Sequence, residues 1–274
     1  MENRYAVHPE QVKRFTTEEL RRHFHIPTLF VSGELKLYYS HEDRVVIGGA
    51  MPAAEPITLD AGDFLRTEYF LERREIGIVN VGGQGTVTVD GEAFVLEHKD
   101  FLYIGLGHED VQFASSSGEQ AKFYLVSATA HRAYPTQKKA AIAELTPNHL
   151  GEAAASNVRN LYQVIHADGI QSCQLMMGIT QLETNNTWNT MPAHIHDRRM
   201  EVYLYLDIEE DARVFHFMGS HLKQDILLWQ MRKQSFHLHG PFIQVQVQRI
   251  THLFGQWREK TIHSKIWTLS QWIS

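Results

Sequence analysis

The feature that most constrains this chain is a succession of short strand-like runs broken by turn residues. LKLYYS (35–40), RVVIGGA (44–50), EIGIVNVGG (75–83), GTVTVDG (85–91), AFVLE (93–97) and FLYIGLG (101–107) are rich in β-branched and aromatic residues. Gly, Asp or charged residues separate them, which is the pattern of strands ended by turns. Asp90-Gly91 predicts a tight hairpin, because both central residues of such a turn need positive φ. Close, regular spacing of this kind favours a sandwich or barrel over βαβ units. One short amphipathic helix is predicted over residues 10–25 (EQVKRFTTEELRRHFH), with Thr16-Thr17-Glu18-Glu19 at an N-cap.

Residues 131–160 interrupt the strand pattern with a polar stretch rich in Ala, Asn and Pro. Strand character returns at NLYQVIH (160–166), CQLMMGITQLE (173–183) and MEVYLYLDI (200–208). Both halves open an apolar strand with an acidic-Arg-Arg-acidic cluster: Glu72-Arg73-Arg74-Glu75 before IGIVNV, and Asp197-Arg198-Arg199-Met200-Glu201 before VYLYLD. This favours two copies of one barrel. The expected division is a first barrel over 1–135, a linker over 136–160 and a second barrel over 161–274.

Composition narrows the function classes. The 274 residues are enough for a sizeable core. A net charge of -6 argues against a nucleic-acid binder, which usually carries a basic stripe. The single cysteine, Cys173, excludes an intramolecular disulfide and is expected to be a small buried residue. No apolar run reaches the ~20 residues of a membrane span, and the N-terminus lacks a signal-peptide core. A cytoplasmic protein without membrane or nucleic-acid partners is the expectation.

The sharpest chemical motif is MPAHIHDRRME, residues 191–201. On an extended strand His194 and His196 project from one face, because side chains alternate with period two. Glu201 opens the next apolar strand, where a return after a turn brings its carboxylate toward the same point. Two imidazoles and a carboxylate suit Zn, Mn, Fe, Co or Ni. The competing reading is a pair of surface histidines. Arg198 and Arg199 are either solvated turn charges or ligands for a substrate carboxylate. The first half has no H-x-H, and Glu72 and Glu75 stand where ligands would be. That barrel is expected to be metal-free and structural, or to lend residues to an interface. His41, His98, His108 and His131 are scattered and read as surface or core histidines.

YFLERREIGIVNVGG, TVDG, AKFY, CQLMMGITQLE and above all WNTMPAHIHDRRMEVYLY resemble the 5-keto-4-deoxyuronate isomerases, also called 4-deoxy-L-threo-5-hexosulose-uronate ketol-isomerases. The resemblance runs from about Tyr5 to Gly219. It implies an all-β bicupin (two jelly-roll barrels with a short N-terminal helix), a hexamer, and one Zn2+ per subunit in the second cupin. The implied reaction interconverts 5-dehydro-4-deoxy-D-glucuronate and 3-deoxy-D-glycero-2,5-hexodiulosonate in uronate breakdown. The family's two histidines and glutamate match His194, His196 and Glu201. Two other classes share such a donor set, an iron-dependent dioxygenase and a non-catalytic sugar-acid binder.

A further family histidine, in a W-S-I-H-S-G motif, has no counterpart here. From Ser220 the composition changes. Segment 220–274 holds two acidic residues, Asp225 and Glu259, against 32 in the chain, and four of the five Trp. FIQVQVQR (242–249), written as TTC ATT CAG GTT CAG GTA CAG CGA and moved two bases on, reads H-S-G-S-G-T-A. That string resembles the family's own C-terminus. A frameshift near Gly219–Ser220, in the gene or in its sequencing, is therefore expected to have displaced the natural end. The missing histidine would fall near Phe242–Ile243. His237 and His239 nearby arise from the displaced frame.

Overall fold

The computed structural model describes residues 1–116, 118–189, 200–208, 214–220, 223–228, 247–248 and 267–273. Strands dominate, and they form two tandem units. In the first, a seven-stranded sheet has the order β1 (Glu2–Arg4), β2 (Glu34–Ser40), β3 (Val45–Met51), β10 (Phe123–Thr129), β5 (Arg74–Asn80), β8 (Asp100–Ile104) and β11 (Gln137–Ala140). A four-stranded sheet faces it: β4 (Ile57–Thr58), β9 (Val111–Ser115), β6 (Gly85–Val89) and β7 (Glu92–Leu96). The β6–β7 hairpin turns at Asp90 and Gly91, both at positive φ (46° and 88°), as the dipeptide predicts.

The second unit has a six-stranded sheet, β12 (Asn148–Leu150), β13 (Arg159–Ile165), β14 (Leu175–Leu182), β19 (Trp267–Ile273), β15 (Glu201–Leu206) and β18 (Val247–Gln248). β16 (Phe215–Ser220) and β17 (Lys223–Leu228) form a separate antiparallel pair. Although strand alternation fades after residue 220, β19 pairs along its whole length with β14 on one side and β15 on the other. Sheet pairing is carried by backbone groups, so a segment of altered composition can still occupy a strand position.

Two predicted boundaries move. The helix over 10–25 is split into α1 (Pro9–Val12) and α2 (Thr17–Phe24). Thr16 is extended (φ -68°, ψ 164°) and closes a capping box with Glu19: its hydroxyl accepts from the Glu19 amide while Glu19 Oε2 accepts from the Thr16 amide at 2.7 Å. A residue acting as an N-cap cannot also continue a helix through itself. The 136–160 linker is also more ordered than its composition implies. Its β11 extends the first sheet as an edge strand on β8, and its β12 does the same for the second on β13.

Two large apolar cores follow from strand alternation. Ile76, Ile78, Leu102, Ile104, Val87, Val89, Phe113, Phe123 and Leu125 fill the inside of the first barrel. The opposite face of the seven-stranded sheet meets the second unit. There Val79, Phe101, Tyr103 and Tyr124 pack with Met177, Ile179, Val202, Leu204 and Leu206 in one continuous cluster. Gly77 on β5 makes this approach possible, since a Cβ at that position would overlap Met177 Sδ.

Candidate metal and substrate site

β15 sorts its residues by face. Val202, Leu204 and Leu206 join the core between the units. Glu201, Tyr203 and Tyr205 therefore share the other face, toward the inside of the second barrel. All three are buried, Glu201 at 3% exposure. The Tyr203 hydroxyl donates to Glu201 Oε2 at 2.8 Å. His216, on β16, lies against this row: its ring is edge-on to Tyr203 at 5.4 Å and to Tyr205 at 6.2 Å. Its Nδ1 is 2.8 Å from the Tyr205 hydroxyl.

The electrostatics follow from burial. His216 is 1% exposed, and burial pushes its pKa down to about 3, so the ring is neutral near pH 7. Burial, reinforced by the charge on Glu201, raises the Tyr205 phenol above its ordinary value. His216 Nε2 is buried and has no hydrogen-bond partner among the described residues. A buried polar atom left in that condition costs about 1–3 kcal/mol, a penalty that functional sites tolerate more often than cores do.

Of the residues expected to form the site, only Glu201 can be placed. His194, His196, Arg198 and Arg199 lie outside the described residues, as do His237 and His239. Among the described residues no three His, Cys, Asp or Glu side chains cluster as a metal site. Glu201 itself fits a ligand's part: it is a buried carboxylate on a rigid strand, facing a barrel interior, with one oxygen oriented by a tyrosine. Two imidazoles added to it make a donor set that a divalent ion such as zinc accepts.

Reading by spacing alone missed Tyr203, Tyr205 and His216. The signal for the two tyrosines was present, since Glu201-x-Tyr203-x-Tyr205 puts three polar-tipped side chains on one face of a strand. His216, ten or more residues away along the chain, carried no such signal.

The first half corrects the assignment of its carboxylates. Glu75 does not face the inside of its barrel. It is fully buried in the face between the units and accepts four hydrogen bonds: from the Tyr103 hydroxyl at 2.7 Å and from the amides of Cys173, Gln174 and Leu175 at 2.6, 2.6 and 2.8 Å. It lends itself to the interface. Glu72 is at the surface, paired with Arg73 and accepting from the Glu68 amide. The inward residue that opens β5 is Arg74, bonded to Ser127 Oγ, Ser127 O and Arg44 O. Cys173 is half-buried rather than a core residue, with Sγ 3.3 Å from His131 Nδ1. Its place in the segment pinned by Glu75 holds it at the rim of the interface.

Two β-sheet units in tandem, the first packed with apolar side chains and the second presenting buried Glu201, Tyr203, Tyr205 and His216 among its described residues, fit an all-β bicupin. The chain belongs to the KduI/IolB family, whose family model matches residues 24–231. It is 95% identical over 219 residues to the 4-deoxy-L-threo-5-hexosulose-uronate ketol-isomerase of Bacillus pumilus (strain SAFR-032), covering 80% of this chain and 79% of that one. The enzyme of the same name from Bacillus subtilis (strain 168) is 69% identical over the same coverage. Among solved structures, an IolB-like protein from Salmonella typhimurium LT2 superposes with a TM-score of 0.58 at 13% identity, covering 84% of this chain and 83% of that one. At that identity the likeness shows the fold alone. No helix among the described residues is long and apolar enough to cross a membrane.

Proposed function

We propose that this chain carries the ketol-isomerase activity for which its relatives are named, interconverting 5-dehydro-4-deoxy-D-glucuronate and 3-deoxy-D-glycero-2,5-hexodiulosonate. The observation that carries this reading is 95% identity to one such isomerase over four-fifths of both chains. The reaction moves a proton between neighbouring carbons, so the site must bind a polyhydroxylated acid and stabilise an enediolate. A barrel interior lined by Glu201, Tyr203, Tyr205 and His216 suits that task better than the apolar interior of the first barrel.

His194, His196 and Glu201 would hold one zinc ion per subunit. When bound, the ion supplies Lewis-acid polarisation of the carbonyl. Tyr203 orients the Glu201 carboxylate through its hydroxyl, the kind of outer support that fixes a ligand's geometry. Arg198 or Arg199 is assigned to the substrate carboxylate, which a guanidinium grips with two parallel hydrogen bonds. A cytoplasmic hexamer completes the proposal.

The segment from Ser220 is proposed to be a displaced reading frame. The 219 residues matched at 95% identity leave 274 − 219 = 55 residues of this chain unmatched, the length of segment 220–274. The family model continues to residue 231, twelve positions past the proposed junction, so the position of the break rests on the composition change. Resequencing the gene across codons 215–225 tests it, and an intact single frame would sink it.

The activity is tested on purified protein with a coupled uronate-isomerisation assay and metal analysis by mass spectrometry. His194→Ala should lower metal content and turnover together. Turnover by a metal-free sample would reject the metal's role. Turnover that stops without oxygen would mark a dioxygenase, and sugar-acid binding without turnover would mark a binding protein.

A further inference from the structure

His216 is a buried ring with one nitrogen engaged and the other, among the described residues, without a partner. It stands on β16 and sets its ring against Tyr203 and Tyr205 on the polar face of β15. Two tyrosines divide the orienting work on that face. Tyr203 holds Glu201, and Tyr205 holds His216. Thr180, on the inward face of β14 and also buried, adds a further hydroxyl to the same interior. A phenol is a strong donor, and an O–H from Tyr205 into Nδ1 leaves the proton of a neutral imidazole on Nε2. Among the described residues that proton then has no acceptor. A carbonyl oxygen that becomes anionic during isomerisation is the kind of partner it lacks. A neutral imidazole is suited to this role, because it shares its proton with a developing enediolate without carrying a charge into a buried site.

We propose that His216 is a catalytic residue of the second barrel, donating a hydrogen bond from Nε2–H to the substrate carbonyl oxygen, with Tyr205 as the positioning residue that sets its tautomer. The proposal rests on the ketol-isomerase reading. The proton stays on Nε2 throughout: it is shared with the oxygen and not transferred, so no bond to the ring forms or breaks.

The test compares wild type, His216→Phe, His216→Gln and Tyr205→Phe, using 5-dehydro-4-deoxy-D-glucuronate as substrate. His216→Phe should lower kcat by about 10²–10³-fold, the usual effect of removing one preorganised donor to a developing oxyanion. KM should change by no more than about threefold, because the interaction is realised mainly in the transition state. Zinc content and melting temperature should be retained. His216→Gln keeps a neutral N–H donor and should recover part of the loss, while Tyr205→Phe should fall between. A His216→Phe variant with wild-type kcat would overturn the proposal. So would a loss no larger than the accompanying loss of metal or of folded protein.

A second readout does not depend on turnover. Magic-angle-spinning NMR of protein carrying ring-15N histidine, assigned by the His216→Phe variant, should show a protonated Nε2 whose resonance moves on adding the same sugar acid. An unprotonated Nε2, or one that does not move, overturns the proposal even if the enzyme is active. Wild-type protein that fails to turn over sinks the isomerase reading instead, and a resonance that still moves leaves His216 as a substrate contact.

Discussion

β5 in the first unit and β15 in the second each present a row of side chains to the inside of their own barrel, and the two rows differ in kind. β5 presents Arg74, Ile76 and Ile78, and the isoleucines are lost in apolar packing. β15 presents Glu201, Tyr203 and Tyr205, of which the two tyrosines meet His216. At the strand-opening position a guanidinium stands in one barrel and a carboxylate in the other. Among the described residues Arg74 has no carboxylate partner. Burial pulls its pKa down to about 10, it remains charged, and its bonds go to a hydroxyl and two carbonyls. A cation fixed in the chain needs only acceptors around it, and these braces join β5 to β10 and to Arg44, the residue just before β3. A carboxylate in the corresponding place calls for a cation from outside. The same architecture thus gives one strand-opening position a braced cation and the other a buried carboxylate, the difference on which the proposed metal site rests.

The harshest way to break this comparison is to write the second barrel's residue into the first. Arg74→Glu would aim a carboxylate at Ser127 O and Arg44 O, which now accept at 2.8 and 2.7 Å. An uncompensated buried charge costs about 3–5 kcal/mol, so urea unfolding should show a loss of that order. Metal analysis should show no additional equivalent, because the interior is apolar and offers no imidazoles. An extra bound ion would mean that the difference between the barrels resides in one residue.

A second experiment makes one substitution in both units. Glu75→Gln replaces an acceptor-only carboxylate by a group whose NH2 must face donors, since all four of its present partners donate. The expected loss is about 2–3 kcal/mol of stability, with zinc content unchanged. Glu201→Gln should reverse the pattern, weakening zinc binding by at least about tenfold with a smaller change in folding stability. Equal effects of the two on metal content would erase the distinction between an interface carboxylate and a ligand.

How legible this was differs by level. The strands were legible because alternation and turn residues are local properties, and Asp90-Gly91 marks its hairpin from two residues. The opposed orientations of Glu75 and Glu201 were not. Both follow an Arg-Arg pair, but Met200 adds one residue in the second cluster, and with a period of two a single residue exchanges the faces of a strand. That one-residue offset is visible in the sequence, yet its meaning depends on which face the other unit covers. His216 was illegible for a different reason. Its partner Tyr205 is on another strand, eleven residues earlier, and the contact that unites them is tertiary and not a matter of local spacing. The capping box at Thr16 was readable as an N-cap, but not as the point where the helix divides.

The smallest effect concerns acid stability, and it also separates the units. His216 in the second unit and His25 in the first are both pulled down to about 3 by burial, with Arg21 and Arg4 adding repulsion at His25. In the unfolded chain a histidine titrates near ~6.5. Below that pH the unfolded state takes up a proton that the folded state refuses until about 3. Stability attributable to each ring is therefore full above ~6.5 and falls as the pH drops through this window, by up to about 1.4 kcal/mol per pH unit. For His216 alone the loss between pH 7 and pH 5 comes to about 2 kcal/mol. His25 should contribute less, because it is only partly buried and water screens what remains. Urea unfolding at the two pH values should thus show an acid limb about 2 kcal/mol shallower in His216→Phe than in wild type, with a lesser flattening in His25→Gln. An unchanged limb in His216→Phe would mean that the ring takes up its proton as readily in the folded barrel as in the unfolded chain, and at acidic pH the two interiors would then differ in charge as well as in polarity.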